Sequence, residues 1–140
     1  MSQPSRVLTV EAVQHALDAA VARAGELGVA INVAVVDAGG LLLGFLRMPG
    51  THLHSREIAV DKAYTAASFG RATGDWPELF KQRSESLERG LVGRERFIGF
   101  GGGLPLVLGN VRVGGVGVSG ASEEQGIQCA GASVRRIGAD

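Results

Sequence analysis

The sequence predicts a single domain of the α/β or α+β class, an antiparallel sheet covered by helices. Three observations lead there. Helical and strand periodicities alternate along the chain, tight-turn residues separate neighbouring strands, and no crossover to a further parallel strand follows the last one. The 140 residues are one domain's length, taken as residues 1–140, and 45% hydrophobic with 20% charged residues is a globular composition.

The elements follow in order. From Thr9 to Leu27 the residues Val13, Ala16, Leu17, Ala20, Val21, Ala24 and Leu27 recur at helical steps. Thr9 is placed to cap this helix, Glu11 to complement its dipole, and Gly28 to stop it. Val29 to Val36 is a nearly continuous apolar run, read as a buried strand. Asp37-Ala38-Gly39-Gly40 supplies a turn, and Leu41 to Leu46 returns as a second strand ending at Arg47. After a second turn at Met48-Pro49-Gly50, a helix runs from about Ser55 to Gly70 with a small-residue face of Ala59, Ala63, Ala66 and Ala67. Asp75-Trp76-Pro77-Glu78 has the form of a capping box and opens one helix ending near Gly90. Phe97 to Phe100 reads as a short strand leading into the corner Gly101-Gly102-Gly103-Leu104-Pro105. Leu106 to Leu108 and Val111 to Val118 flank a Gly109-Asn110 turn as two more strands. Ser122-x-x-Gln125 is a second capping box, starting a helix through Cys129, Ala130, Val134 and Ile137.

Composition narrows the function. Lys plus Arg equals Asp plus Glu at 14 each, which speaks against an electrostatic nucleic-acid binder. Apolar runs are short and glycine-broken, Met1 to Val10 holds no apolar signal core, and Cys129 stands alone. A soluble, cytoplasmic protein is expected. The 22 glycines have no Gly-x-y period, which excludes collagen and points to turns and close backbone approach. Gly115-Val116-Gly117-Val118-Ser119-Gly120 matches G-x-G-x-x-G, but a dinucleotide site would need a second parallel strand beyond the last helix. The better reading is that something presses closely on this strand.

Four features carry candidate chemistry. Gly101, Gly102 and Gly103 can turn backbone N–H groups toward an anion. His52 and His54 flank Leu53 just before a helix, with Glu57 one turn on, a set able to ligate a metal. Arg47 ends a buried strand, and Lys62 lies on a stripe with Ile58, Thr65 and Phe69. Such cations snorkel to water, donate to backbone carbonyls, pair locally with Asp37, Glu57 or Asp61, or hold an anionic ligand.

"VAVVDAGGLLLGFLRMPG", "SREIAVDKAYTAASFG" and "GFGGGLPLVLGNVRVGGVGVSGASEEQ", followed by a late Cys129-Ala130, together resemble the GlcG/HbpS family of haem-binding-type domains. That family includes the C-terminal domain of PduO-type proteins. The resemblance covers nearly the whole chain. It implies a profilin-like three-layer α/β/α fold on a five-stranded antiparallel sheet, and homo-oligomers, commonly tetramers or octamers. It also implies haem as the first ligand to test. From charge balance and apolar run length, no nucleic acid and no membrane are expected among the partners. Asp37 and Gly40 match the hairpin turn, Arg47 and Met48 the strand end, Lys62 and Thr65 the central helix, and Gly102, Gly103 and Pro105 the glycine corner. The family usually carries an acidic residue after the glutamine of its last motif, where Gly126 stands here.

Two functions follow as expectations. In the first, the glycine corner, Thr65, Arg47 and Lys62 receive an anionic ligand such as haem, with His52 or His54 toward iron. In the second, the chain is a small isomerase, lyase or hydrolase for an acidic catabolic metabolite. Lys62 and Arg47 are then the candidate catalytic residues: Lys62 moves the proton, Arg47 orients a carboxylate, and the glycine amides stabilise negative charge.

Overall fold

The computed structural model describes residues 7–139; residues 1–6, part of the stretch read for a signal, and residue 140 lie outside the described residues. Five helices and four strands follow in the order α1 (Val10–Leu27), β1 (Asn32–Asp37), β2 (Leu42–Arg47), α2 (Ser55–Phe69), α3 (Trp76–Lys81), α4 (Glu85–Val92), β3 (Gly103–Leu108), β4 (Val111–Ser119) and α5 (Glu123–Arg136), with a 3-10 turn at Thr73–Asp75 before α3. The strands form one sheet in the order β2-β1-β4-β3, every neighbouring pair antiparallel. That pairing removes any parallel crossover unit from Gly115–Gly120.

The sheet has helices on both faces. Val33, Val35, Leu106, Val116 and Val118 point to the side covered by α1 and α5, where Val13, Ala16, Ala20, Cys129 and Ala130 meet them. Ala34 and Val36 point the other way, against Ala59, Ala63 and Ala67 of α2. On this second face the glycines act as a track. A Cβ on Gly117 would overlap the Ala59 carbonyl oxygen and lie 2.5 Å from the Ala63 nitrogen, and one on Gly103 would come to 2.5 Å from the Lys62 carbonyl oxygen. So α2 itself is what presses on the glycine-rich strand.

The caps fall where side-chain chemistry puts them. Thr9 Oγ1 accepts from the Ala12 N–H at 3.1 Å, Gly28 adopts φ 71°, and Ser122 and Gln125 form a reciprocal capping box. Asp37 Oδ1 accepts from the N–H groups of Gly39 and Leu41 at 2.9 and 3.0 Å, closing the β1–β2 turn.

Among the described residues the expected fifth strand is absent, and the sheet has four. Phe97 to Phe100 is irregular because α2 takes its backbone groups first: Thr65 Oγ1 donates to the Arg96 carbonyl at 2.9 Å and accepts from the Ile98 N–H at 3.1 Å. The Phe97 ring turns into an aromatic cluster with Phe69, Trp76 and Phe80. Strand β3 instead begins at Gly103, and Pro105 is tolerated inside it because β3 is an edge strand. The single helix expected between Asp75 and Gly90 is two. Asp75 is already helical after the 3-10 turn and makes no side-chain cap, whereas Ser84 caps a fresh start by accepting from the Leu87 N–H.

Candidate site: a histidine- and lysine-lined cavity

The end of β4, the start of α2 and the loop before it frame a cavity of 590 Å³ lined by His52, His54, Ser55, Ile58, Lys62, Phe100, Ser119, Gly120 and Ala121. Its volume lies in the ~300–1,000 Å³ range of small-molecule sites. Hollows of 560 Å³ between α1 and α5 and 500 Å³ beside the β1–β2 turn are similar in size. What sets this one apart is that two imidazoles, an amine and an aromatic face border the same space.

Each group is held for a reason. Lys62 sits mid-helix on the face of α2 that meets β4, only 4% exposed. Its Nζ donates to the Val118 carbonyl at 2.9 Å and stands 4.9 Å from the centroid of the Phe100 ring. Burial lowers its pKa from 10.5 to about 8, opposed by attraction from the Glu123 carboxylate. His52 and His54 are exposed on the loop entering α2. Beneath that loop lies a buried polar network. Asn32 Nδ2 donates to Ser55 Oγ at 2.5 Å, Ser55 Oγ donates to the His52 carbonyl at 2.6 Å, and Ser119 Oγ donates to the Ser55 carbonyl. Thr51 Oγ1 adds a bond to Asn32 Oδ1 at 3.4 Å. With these buried partners satisfied, the network fixes the backbone from which both imidazoles project.

The glycine corner lies against the lysine. A Cβ on Gly102, where φ is 127°, would come to 2.7 Å from Lys62 Nζ. The corner's amides are engaged on either side: the Gly101 N–H donates to Glu123 Oε2, and the Gly103 N–H donates to Thr73 Oγ1 at 2.9 Å. The Gly102 carbonyl accepts from the Val118 N–H at 2.9 Å. Gly126 is buried, and a Cβ there would meet the Val118 carbonyl oxygen at 3.4 Å. The acidic group reaching the corner is Glu123, one helical turn earlier.

The remaining candidates are placed elsewhere. Arg47 is exposed and donates to the Thr51 carbonyl at 3.2 Å, bracing the loop before His52 from outside the cavity lining. Thr65 is buried and tied to residues 96 and 98, beside a separate hollow of 200 Å³. Glu57 borders a different hollow, with Leu42, Phe45, Arg56 and Val60, and does not line the cavity of the histidines. Among the described residues no three His, Cys, Asp or Glu side chains converge on one metal position.

Phe100, Ser119, Ser55 and Asn32 were not singled out from the sequence. A signal existed for one of them: Asn32 is the lone polar residue in an otherwise apolar strand, and a buried amide needs partners. Phe100 gave no signal, because its place depends on where the glycine corner folds.

A helix-covered antiparallel sheet with one cavity bordered by a lysine and two histidines defines an α/β domain with a candidate small-molecule site. The family described as Haem degrading protein HbpS-like matches residues 8–135, and the chain belongs to it. A 15.0 kDa protein from the dhaT-dhaS intergenic region of Citrobacter freundii is 34% identical over 124 residues, covering 89% of this chain and 87% of that protein. The corrinoid adenosyltransferase PduO of the same organism is 33% identical over 96% of this chain, which spans 40% of PduO's length. Among solved structures, a PduOC:haem complex superposes with a TM-score of 0.88 at 33% identity, covering 96% of this chain and 98% of that one.

Proposed function

We propose that this chain is a haem-binding protein and that the ligand enters the cavity bordered by His52, His54, Lys62 and Phe100. The observation that carries the reading is that these groups share one space of fitting size, in a chain similar to the haem-complexed PduOC domain. The residues suit the group. An imidazole from His52 or His54 is an iron ligand, Phe100 offers an apolar face, and the Lys62 ammonium attracts a propionate. With the Gly101 and Gly103 amides engaged by Glu123 and Thr73, Lys62 supplies the positive charge for an anionic group. When bound, haem supplies the redox-active iron; the chain supplies orientation, partial exclusion of water and one positive charge.

Hemin titration tests this. The Soret band is expected to shift and saturate, and a His52→Ala/His54→Ala double substitution to abolish the shift. An unshifted, non-saturating spectrum removes haem from this protein. The chain is further taken to work in the cytoplasm as a tetramer or octamer. No helix among the described residues is long and apolar enough to cross a membrane, and the unpaired edge of β2 exposes Leu42 and Leu43. Native mass spectrometry reads copy number directly.

A second reading, a small isomerase, lyase or hydrolase, draws support from Lys62. An amine with a pKa of about 8 inside a cavity takes and returns protons near neutral pH. Arg47, outside the lining, leaves Lys62 as the cation that would meet an acidic substrate.

A further inference from the structure

Lys62 is one of only two lysines in the sequence, and the two are opposites. Lys81 has a 74% exposed side chain and pairs with Glu78 at 3.4 Å. Lys62 is 4% exposed, and among the described residues no carboxylate lies within ion-pair distance of it. Its one hydrogen-bond acceptor is a backbone carbonyl, Val118 O. A buried ammonium held that way is costly, and losing its proton relieves the cost. Lys62 nevertheless is not sealed in packed hydrocarbon, because it is among the residues that line the cavity.

Around it are the parts that carbonyl chemistry requires. Ile58, Phe100 and Ala121 make an apolar wall, and the imidazoles of His52 and His54 border the same space. Glu123, on α5, is the carboxylate whose attraction partly offsets the effect of burial. We infer that Lys62 is a nucleophile that captures small aldehydes entering this cavity as an imine. The inference uses the cavity but goes beyond haem binding. The neutral amine's lone pair attacks the carbonyl carbon, forming the C–N bond while the C=O π pair moves to oxygen. Oxygen gains a proton and nitrogen loses one, giving a carbinolamine. Protonation of its hydroxyl and loss of the second nitrogen proton expel water and leave the C=N bond. No oxidant or reductant is consumed.

The test needs no variant, since Lys81 is an internal control. The whole chain is treated at pH 7 with propanal and cyanoborohydride, and alkylation is mapped by peptide mass spectrometry. At that pH roughly one Lys62 amine in ten is neutral, against fewer than about one in a thousand for an ordinary lysine. Lys62 is expected to be alkylated more than ten-fold faster than Lys81, despite being buried. Equal rates, or faster reaction at Lys81, overturn the inference. A chain that shifts the Soret band of hemin yet leaves Lys62 unmodified overturns the imine and spares the haem reading. Preferential alkylation of Lys62 without any hemin shift supports the imine and removes haem.

Discussion

The two faces of the sheet are built on different principles. Toward α1 and α5 the strands present Val33, Val35, Val116 and Val118, and the layer is filled by interlocking aliphatic side chains. Toward α2 they present Gly103, Gly115 and Gly117 against Ala59, Ala63 and Ala67, and the backbones themselves approach. The first face gains mainly from hydrocarbon removed from water. The second has little hydrocarbon to bury and depends on the absence of atoms. Close approach also has a consequence for chemistry: it brings Lys62 Nζ within hydrogen-bond reach of the Val118 carbonyl and against Gly102, where water is scarce. Lys62 lies on this close-packed face, at the edge of the cavity.

That contrast can be broken at its strongest point. Adding one carbon to the α2 face by Gly117→Ala puts a Cβ into the Ala59 carbonyl and the Ala63 nitrogen, neither of which can swing aside. A loss of at least ~3 kcal/mol is expected in urea denaturation. The next effect is in pH. Below about pH 8 Lys62 is charged in both folded and unfolded chains, so the whole cost of burying that charge is present. Between about pH 8 and 10.5 the folded chain has released the proton while the unfolded chain still holds it. The unfolded state binds more protons in that window, so stability rises with pH, by on the order of 2–3 kcal/mol. Lys62→Met flattens the rise; a rise unchanged in that variant assigns it to another group.

On the opposite face, removing carbon is the informative change. Val116→Ala, at a fully buried position, costs about 2 kcal/mol in the same denaturation experiment. If it costs more than Gly117→Ala, the proposed contrast between the faces is reversed. The smallest expected effect is Ser122→Ala, which removes the side-chain half of the α5 capping box for about 1 kcal/mol. It tests whether α5 is held by its own start signal or only by packing on α1, β3 and β4.

Much of the fold was legible because its signals are local. The stripe from Val13 to Ala24, the Asp37 turn and the Ser122–Gln125 box each lie within a few residues, and each forms where expected. The Phe97–Phe100 segment misled because its apolar residues have strand character while its backbone partners lie on α2. Thr65 claims those groups from more than 30 positions away, and no local pattern encodes that. The same gap separates the expected site from the observed cavity. Lys62 and the glycine corner do meet, since Gly102 lies against Nζ. Arg47 and Thr65, on neighbouring elements, turn their polar groups to backbone carbonyls elsewhere.

The amino-acid order alone determined the caps, the turns, the apolar faces and the small-residue stripe of α2, because each depends on spacing within one turn or one strand. Only the tertiary structure decided that Phe100 and two imidazoles border the space of Lys62, and that Glu123 and Thr73 engage the Gly101 and Gly103 amides. Those outcomes depend on which distant group reaches a backbone donor or acceptor before another does. Sequence spacing carries no information about that competition once the chain crosses from one layer to the next.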